Sequence, residues 1–210
     1  MKIAVVAANG RVAKKVIAEA VSRGLEVVAF GRHDENDTQA KVYYKKDILD
    51  LTKEDLAGFD VVVDGFGART AEQQPMHVKT SQYLCDLLSG TDTRLLVVGG
   101  AGSLYVNQEH TAVLSDSPDF PAEFLPVARA QGEELAKLRE RNDVKWTFIS
   151  PAADFQADGE RTGKYLLAGE QFTLNSRNES IISYADYAIA MVDEIESGEH
   201  IQQRISVVRA

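Results

Sequence analysis

Apolar and polar positions along this chain alternate between two periods. Lys2-Ile3-Ala4-Val5-Val6-Ala7-Ala8 is a short apolar run suited to a strand covered on both faces, and helical spacing follows at Val12, Ala13, Val16, Ile17, Ala20 and Val21. Gly24 stops the helix. Leu25 to Phe30 then forms a second strand, which completes a β-α-β unit, so the first two strands are expected to be parallel. The alternation continues with strands at Val42-Tyr43-Tyr44, Asp60 to Asp64 and Arg94 to Gly99, and a helix from Val78 to Leu88 precedes the last of these. The pattern predicts an α/β fold with a doubly wound parallel sheet.

Beyond residue 100 the pattern loosens. Pro118, Pro121 and Pro126 mark a loop before a helix that ends near Arg141, with an inward face of Ala128, Gln131, Leu135 and Leu138. Lys145 to Ile149 is a sixth strand, stopping at Ser150-Pro151. Strand-like pieces at Lys164–Leu167, Gln171–Leu174 and Ser180–Ile182, separated by Gly and Asn, predict a small C-terminal cap over residues 152–183. Ser183-Tyr184-Ala185-Asp186 has the pattern of a capping box. It opens a helix with apolar positions Ala185, Ala188, Ile189, Val192 and Ile195, closed by Gly198, and Arg204 to Val208 is a last strand. With no repeat or flexible linker, residues 1–210 read as a single domain.

Composition narrows the function classes. The 210 residues are 44% hydrophobic and 26% charged, enough apolar material for a full core. A formal net charge of −9 argues against a general nucleic-acid binder, whose affinity comes from clustered cations. No apolar run is long enough to span a bilayer and no signal-peptide pattern is present, so no membrane association and a cytoplasmic location are expected. Cys85 lies among Tyr83, Leu84, Leu87 and Leu88 and reads as a buried thiol. His33, His77, His110 and His200 are too scattered to suggest a metal site.

The turn Ala7-Ala8-Asn9-Gly10-Arg11-Val12-Ala13 is the most informative segment. Small residues between a strand and a helix allow backbone N–H groups and the positive helix end to approach a pyrophosphate. A tight turn that binds nothing has the same local pattern. Gly31-Arg32-His33 follows at the position that recognises the adenosine ribose, where an acid would bind the 2′-hydroxyl of NAD and an arginine suits the 2′-phosphate of NADP. Arg32 therefore favours NADP, with NAD the alternative.

Together with Asp47-Ile48, Asp64-Gly65-Phe66-Gly67, Val97 to Ser103, Ser150-Pro151, Arg161 to Tyr165 and Ser183 to Ala188, that turn resembles the atypical short-chain dehydrogenase/reductase group of NAD(P)H-binding proteins. Within that group the chain looks like the bacterial NADH-flavin reductases, and it is similar to biliverdin reductase B and the NmrA-like regulators. The resemblance covers nearly the whole chain and implies a Rossmann-like fold. The group's usual opening is Gly-Ala-Thr-Gly-x-x-Gly, from which Ala7, Asn9 and Ala13 depart; Asn9 is still able to cap the helix and donate to a phosphate. The resemblance implies that Ala8, Asn9, Gly10, Arg11 and Val12 hold the pyrophosphate and that Asp47 and Ile48 border the adenine. Gly65, Phe66 and Gly67 would lie along the pyrophosphate and nicotinamide ribose, and Gly99, Gly100, Ser150 and Pro151 would flank the nicotinamide. Each has a plain alternative as a cap or a turn.

The chain's seven tyrosines are followed four positions later by Asp47, Ile48, Leu87, Glu109, Gly169, Ala188 and Met191. The Tyr-x-x-x-Lys pair that supplies a proton in classical members is absent, which argues against alcohol or ketone reduction and epimerisation. A flavin or quinone acceptor needs mainly proximity and orientation. The expectation is an NAD(P)H-dependent oxidoreductase passing hydride to a free flavin or similar planar acceptor, with Ser103 as a candidate hydrogen-bond donor to the substrate or nicotinamide. The alternative is a non-catalytic NADP-sensing regulator of NmrA-like type. The cationic Arg161-Thr162-Gly163-Lys164-Tyr165 segment reads equally as an attractor for an anionic substrate and as a solvated turn.

Overall fold

The computed structural model describes residues 1–68 and 70–210. In chain order the elements are β1 (Lys2–Val6), α1 (Arg11–Ser22), β2 (Glu26–Gly31), β3 (Val42–Lys45), α2 (Lys53–Leu56), β4 (Val61–Asp64), α3 (Met76–Leu88), β5 (Arg94–Val98), α4 (Leu125–Arg139), β6 (Lys145–Ser150), β7 (Asp154–Gln156), β8 (Tyr165–Ala168), β9 (Ile181–Ser183), α5 (Tyr184–Ser197) and β10 (Gln203–Arg209). The main sheet has eight strands in the order β3-β2-β1-β4-β5-β6-β10-β8, all parallel except β8, which runs antiparallel to β10. This is the doubly wound sheet expected from the alternation of periods, in the Rossmann-like form that the resemblance implies.

The apolar strands are buried on both faces because each face has its own helix layer. Ile3 and Val5 pack with Val16 and Ile17 of α1 and with Val192 and Ile195 of α5, while Ala4 and Val6 pack with Leu84 and Leu88 of α3 and Leu135 and Leu138 of α4. Register follows from this two-sided burial: Ile3 lies between Val27 and Val61, and Val5 between Ala29 and Val63. A one-residue slip would exchange the two apolar sets. Each fully buried aliphatic side chain is worth about 1.5–3 kcal/mol relative to exposure, so that exchange is strongly opposed.

The structure differs from expectation mainly in the second half. Pro126 lies in the first turn of α4, where its missing N–H costs nothing, instead of in the preceding loop. Gln171–Leu174 forms no strand beyond a single bridge, in which Gln171 pairs in parallel with Tyr105: Tyr105 N–H donates to Glu170 O at 2.9 Å and Phe172 N–H to Tyr105 O at 2.8 Å. Within 152–183, β8 joins the edge of the main sheet, and β7, which the periodicity missed, pairs with β9 in a separate parallel ribbon. Only half of the capping box forms. Ser183 Oγ accepts from Asp186 N–H at 3.0 Å, but the Asp186 carboxylate turns to the 162–163 loop, accepting from Thr162 N–H at 3.1 Å and Gly163 N–H at 2.9 Å.

Ala7 breaks the strand before the first turn with a φ of +50°, in the left-handed region where a Cβ costs about 1–2 kcal/mol. Ala7→Gly relieves that strain at the expense of greater unfolded-state freedom. The expected net result is a stabilisation of about 0.5–1 kcal/mol, measured by urea unfolding. A destabilised variant would show that the alanine methyl makes a packing contribution larger than the backbone strain.

Candidate functional site

The sheet order reverses between β1 and β4, so the loops after these strands leave a crevice at their carboxyl ends. Both loops need small residues there. A Cβ on Gly10 would lie 3.3 Å from Ala7 O and 3.4 Å from Gly65 O, and one on Gly65 would lie 2.8 Å from Ala13 Cβ. Gly65 thus leaves room for Ala13 at the position where the usual motif has glycine. Helix α1 starts at Gly10 with no side-chain cap, which leaves its first-turn N–H groups and positive dipole end without a side-chain acceptor. That arrangement suits an anionic group such as a pyrophosphate. Ala8 is fully buried and donates its N–H to Phe30 O at 2.9 Å, while the exposed Arg11 guanidinium stands 5.7 Å from the centre of the Tyr184 ring.

Asn9 does not cap α1. Its Oδ1 accepts from Arg32 N–H at 3.1 Å and from Tyr43 Oη at 3.2 Å, and its Nδ2 donates to Asp37 Oδ1 at 2.7 Å. The side chain therefore ties the first turn to the loop after β2, and Gly31 makes room for it, since a Cβ there would lie 2.1 Å from Asn9 Oδ1. Asp37 also pairs with Lys14 at 2.5 Å, and these partners hold its carboxyl at about 2. The Arg32 guanidinium is 68% exposed and 3.8 Å from Asp47 Oδ2, leaving donors free for a ligand. Asp47 caps the short turn at Ile48–Asp50 by accepting from Leu49 N–H at 3.2 Å, and Ile48 is buried in the core.

The loops after β5 and β6 are joined by a residue that the sequence reading passed over. Arg204 of β10 is buried and places Nη1 3.4 Å from both Ser103 Oγ and Ser150 Oγ, while its Nη2 donates to Ser103 O at 3.2 Å. Glu170 pairs with it, offsetting the burial that pulls the guanidinium's pKa down. Gly99 is required by close packing, because a Cβ there would meet the buried Phe148 ring at 2.2 Å, whereas one on Gly100 would meet only the movable end of the Gln131 side chain, Oε1 at 2.1 Å. Gly67 has open space around its Cβ position, Phe66 is half-buried and Pro151 buried. Val12 is half-buried at the start of α1. The cationic 161–165 segment is fastened down: Arg161 pairs with Glu19 of α1 at 2.9 Å, and Tyr165 Oη donates to Asp193 at 2.7 Å.

The sequence reading named Asp64 and His77 separately but missed the group they form with Glu134. Asp64, His77 and Glu134 are each 1% exposed and converge from β4, α3 and α4. Burial, with the nearby Glu134 carboxyl, raises Asp64 to about 7; burial likewise pushes Glu134 well up and His77 down. Asp64 Oδ2 and Glu134 Oε2 have no hydrogen-bond partner. Among the described residues no group of three or more His, Cys, Asp or Glu is arranged to hold a metal ion, and no helix is long and apolar enough to cross a membrane. Cys85 is buried, with its thiol pushed up to about 12.

Residues 7–197 match the family described as NAD(P)H-binding. The chain belongs to this family. Over 210 residues it is 44% identical to the uncharacterized protein YwnB of Bacillus subtilis (strain 168), covering 99% of this chain and 98% of that one. The crystal structure of SP1627 from Streptococcus pneumoniae TIGR4, named a "putative NADH-flavin reductase", superposes with a TM-score of 0.98 at 55% identity over 100% of both chains. A "putative epimerase" from Bacteroides thetaiotaomicron superposes at 0.84 with 35% identity, covering 99% of this chain and 96% of that one.

The Asp64 shift has a consequence for stability. An acid with a folded pKa above its unfolded value holds its proton more tightly when folded, so its contribution is fully present below about pH 4 and is lost as pH rises towards 7. Relative to Asp64→Asn, the protein should lose roughly 2 kcal/mol between pH 5 and 7, the slope falling from about 1.4 kcal/mol per unit as the pH nears the folded pKa. Urea unfolding across this range measures the difference. Parallel stability curves would show that Asp64 ionises normally.

Proposed function

We propose that this protein is an NAD(P)H-dependent oxidoreductase that passes a hydride to a free flavin or a similar planar acceptor such as a quinone. The observation that carries the cofactor part is the crevice where Gly10 approaches Gly65 beside the uncapped start of α1. The name carried by SP1627 supports a flavin acceptor. Bound in that crevice, a reduced nicotinamide would supply the hydride, two electrons with one proton, and the acceptor would take its second proton from solvent.

The chain's own part is binding and alignment. Asn9 to Val12 would receive the pyrophosphate, with Ala8 buried behind them and its N–H already bonded to Phe30 O, Arg32 the adenosine end, and Gly65 to Gly67 the nicotinamide ribose. Ser103 and Ser150, linked through Arg204, would line the nicotinamide side with Gly99, Gly100 and Pro151. No tyrosine has a lysine four residues on, so epimerase or ketone-reductase chemistry through that pair has no support in this chain. Hydride transfer between two stacked ring systems depends mainly on holding them in contact.

The test is loss of absorbance at 340 nm when NADPH and flavin mononucleotide are mixed with the protein under anaerobic conditions. Steady turnover is expected; cofactor binding without consumption would favour a sensing role of NmrA-like type. In the same assay Arg32→Ala should raise the KM for NADPH about 10- to 100-fold, as expected for loss of a charge-assisted contact of roughly 1.5–3 kcal/mol. NADH should be affected less than about threefold. Equal losses with both cofactors would show that Arg32 does not read the 2′-phosphate.

A further inference from the structure

The loop after β4 is held from below by ionisable side chains that packing alone does not require. Burying Asp64, His77 and Glu134 together carries a large desolvation cost, and apolar residues of similar volume would fill the α3–α4 contact more favourably. The polar atoms of Asp64 and His77 face the loop's backbone. Phe66 N–H donates to Asp64 Oδ1 at 2.9 Å, and Ala68 N–H points to His77 Nε2 at 3.5 Å. The Phe66 ring also meets the His77 ring edge-on, with centroids 5.0 Å apart and an interplanar angle of 80°. The loop is thus gripped on both sides of Gly67, whose outer face is open.

The imidazole can accept from Ala68 only if Nε2 carries the lone pair, which puts the ring proton on Nδ1. Nδ1 lies 3.5 Å from Glu134 Oε2, a buried oxygen without a hydrogen-bond partner. With the carboxyl proton held on its other oxygen, Glu134 Oε2 faces Nδ1 as an acceptor and favours the tautomer that the loop needs. Burial pushes His77 towards its neutral form, which keeps the Nε2 lone pair available.

We propose that Asp64 and His77 are positioning residues that shape the Phe66–Ala68 backbone for the dinucleotide, with Glu134 acting through His77 by fixing its tautomer. The proposal rests on the reading that this loop lies against the cofactor. It goes beyond that reading by assigning the loop's shape to a buried relay 57 to 70 residues apart in sequence from Glu134 to His77 and Asp64.

The test compares His77→Leu and Glu134→Leu with His77→Gln and Glu134→Gln, since glutamine keeps an acceptor oxygen near the lost atom. NADPH affinity is measured by calorimetric titration, and the unfolding midpoint is measured without cofactor. The leucine variants should bind NADPH at least tenfold more weakly, while the glutamine variants stay within about threefold of the parent. Leucine variants with shifted midpoints and unchanged affinity would overturn the proposal, as would glutamine variants no better than leucine.

A second measurement needs no variant: ring nitrogen-15 shifts of His77 in the unaltered protein at pH 7 should report the neutral Nδ1–H tautomer. An Nε2–H or doubly protonated ring would overturn the proposal even if the variants behave as expected. Failure of the unaltered protein to bind NADPH would remove the parent reading and this proposal with it. Normal binding alongside the wrong tautomer would remove only the proposal.

Discussion

Two backbone segments meet where the sheet reverses its direction of winding, and the rest of the candidate site is arranged around that meeting. The Gly10 Cα stands so close to Gly65 O that an added Cβ would be 3.4 Å from it, and Gly65 in turn accommodates the Ala13 methyl. Parallel strands covered on both faces place β1 beside β4, and the missing side chains allow α1 to begin uncapped beside the crevice. Every other loop at this end of the sheet takes its position from strands in register with these two. The departures of the first turn from its usual glycine pattern are accommodated locally: Ala7 takes a left-handed backbone, Asn9 bonds the loop after β2, and Ala13 fills the space Gly65 leaves.

The fold was legible in the chain because its signal is periodic and local. Runs such as Val61-Val62-Val63 and helical spacing such as Val12 to Val21 report two-sided burial directly, and the parallel order follows from connection length. Irregular structure was less legible. Gln171–Leu174 has strand-like composition, yet its neighbours spend their backbone bonds on Tyr105, a contact made across 66 residues that no local window contains. The capping-box pattern at Ser183 was half right, because Asp186 has a better use in tying down Thr162 and Gly163.

The candidate site divides in the same way. Gly10, Arg32 and Gly65 carry signals in their own neighbourhoods, and the structure brings their loops to one end of the sheet. His77, Glu134 and Arg204 had none, and Asp64 stood out only as the start of the Asp64-Gly65-Phe66-Gly67 motif: a single acid or base reads as an exposed charge until its buried partners elsewhere in the chain are known. These four put polar chemistry behind the loops. Arg204 links the Ser103 and Ser150 hydroxyls, and the Asp64 cluster meets the N–H groups after β4. A scaffold that lacks a dedicated tyrosine–lysine acid instead has buried groups fixing the loops that would hold two ring systems together, which suits catalysis by orientation.

The central claim is that the crevice between the first turn and β4 holds the nicotinamide dinucleotide, and Gly10→Val tests it most directly. The branched side chain would enter the space between Ala7 O, Gly65 O and the pyrophosphate. Calorimetric titration with NADPH, after confirming that the variant is folded by its unfolding midpoint, should show binding lost or weakened at least a hundredfold relative to the parent protein. A folded Gly10→Val variant that binds NADPH with unchanged affinity would contradict the account.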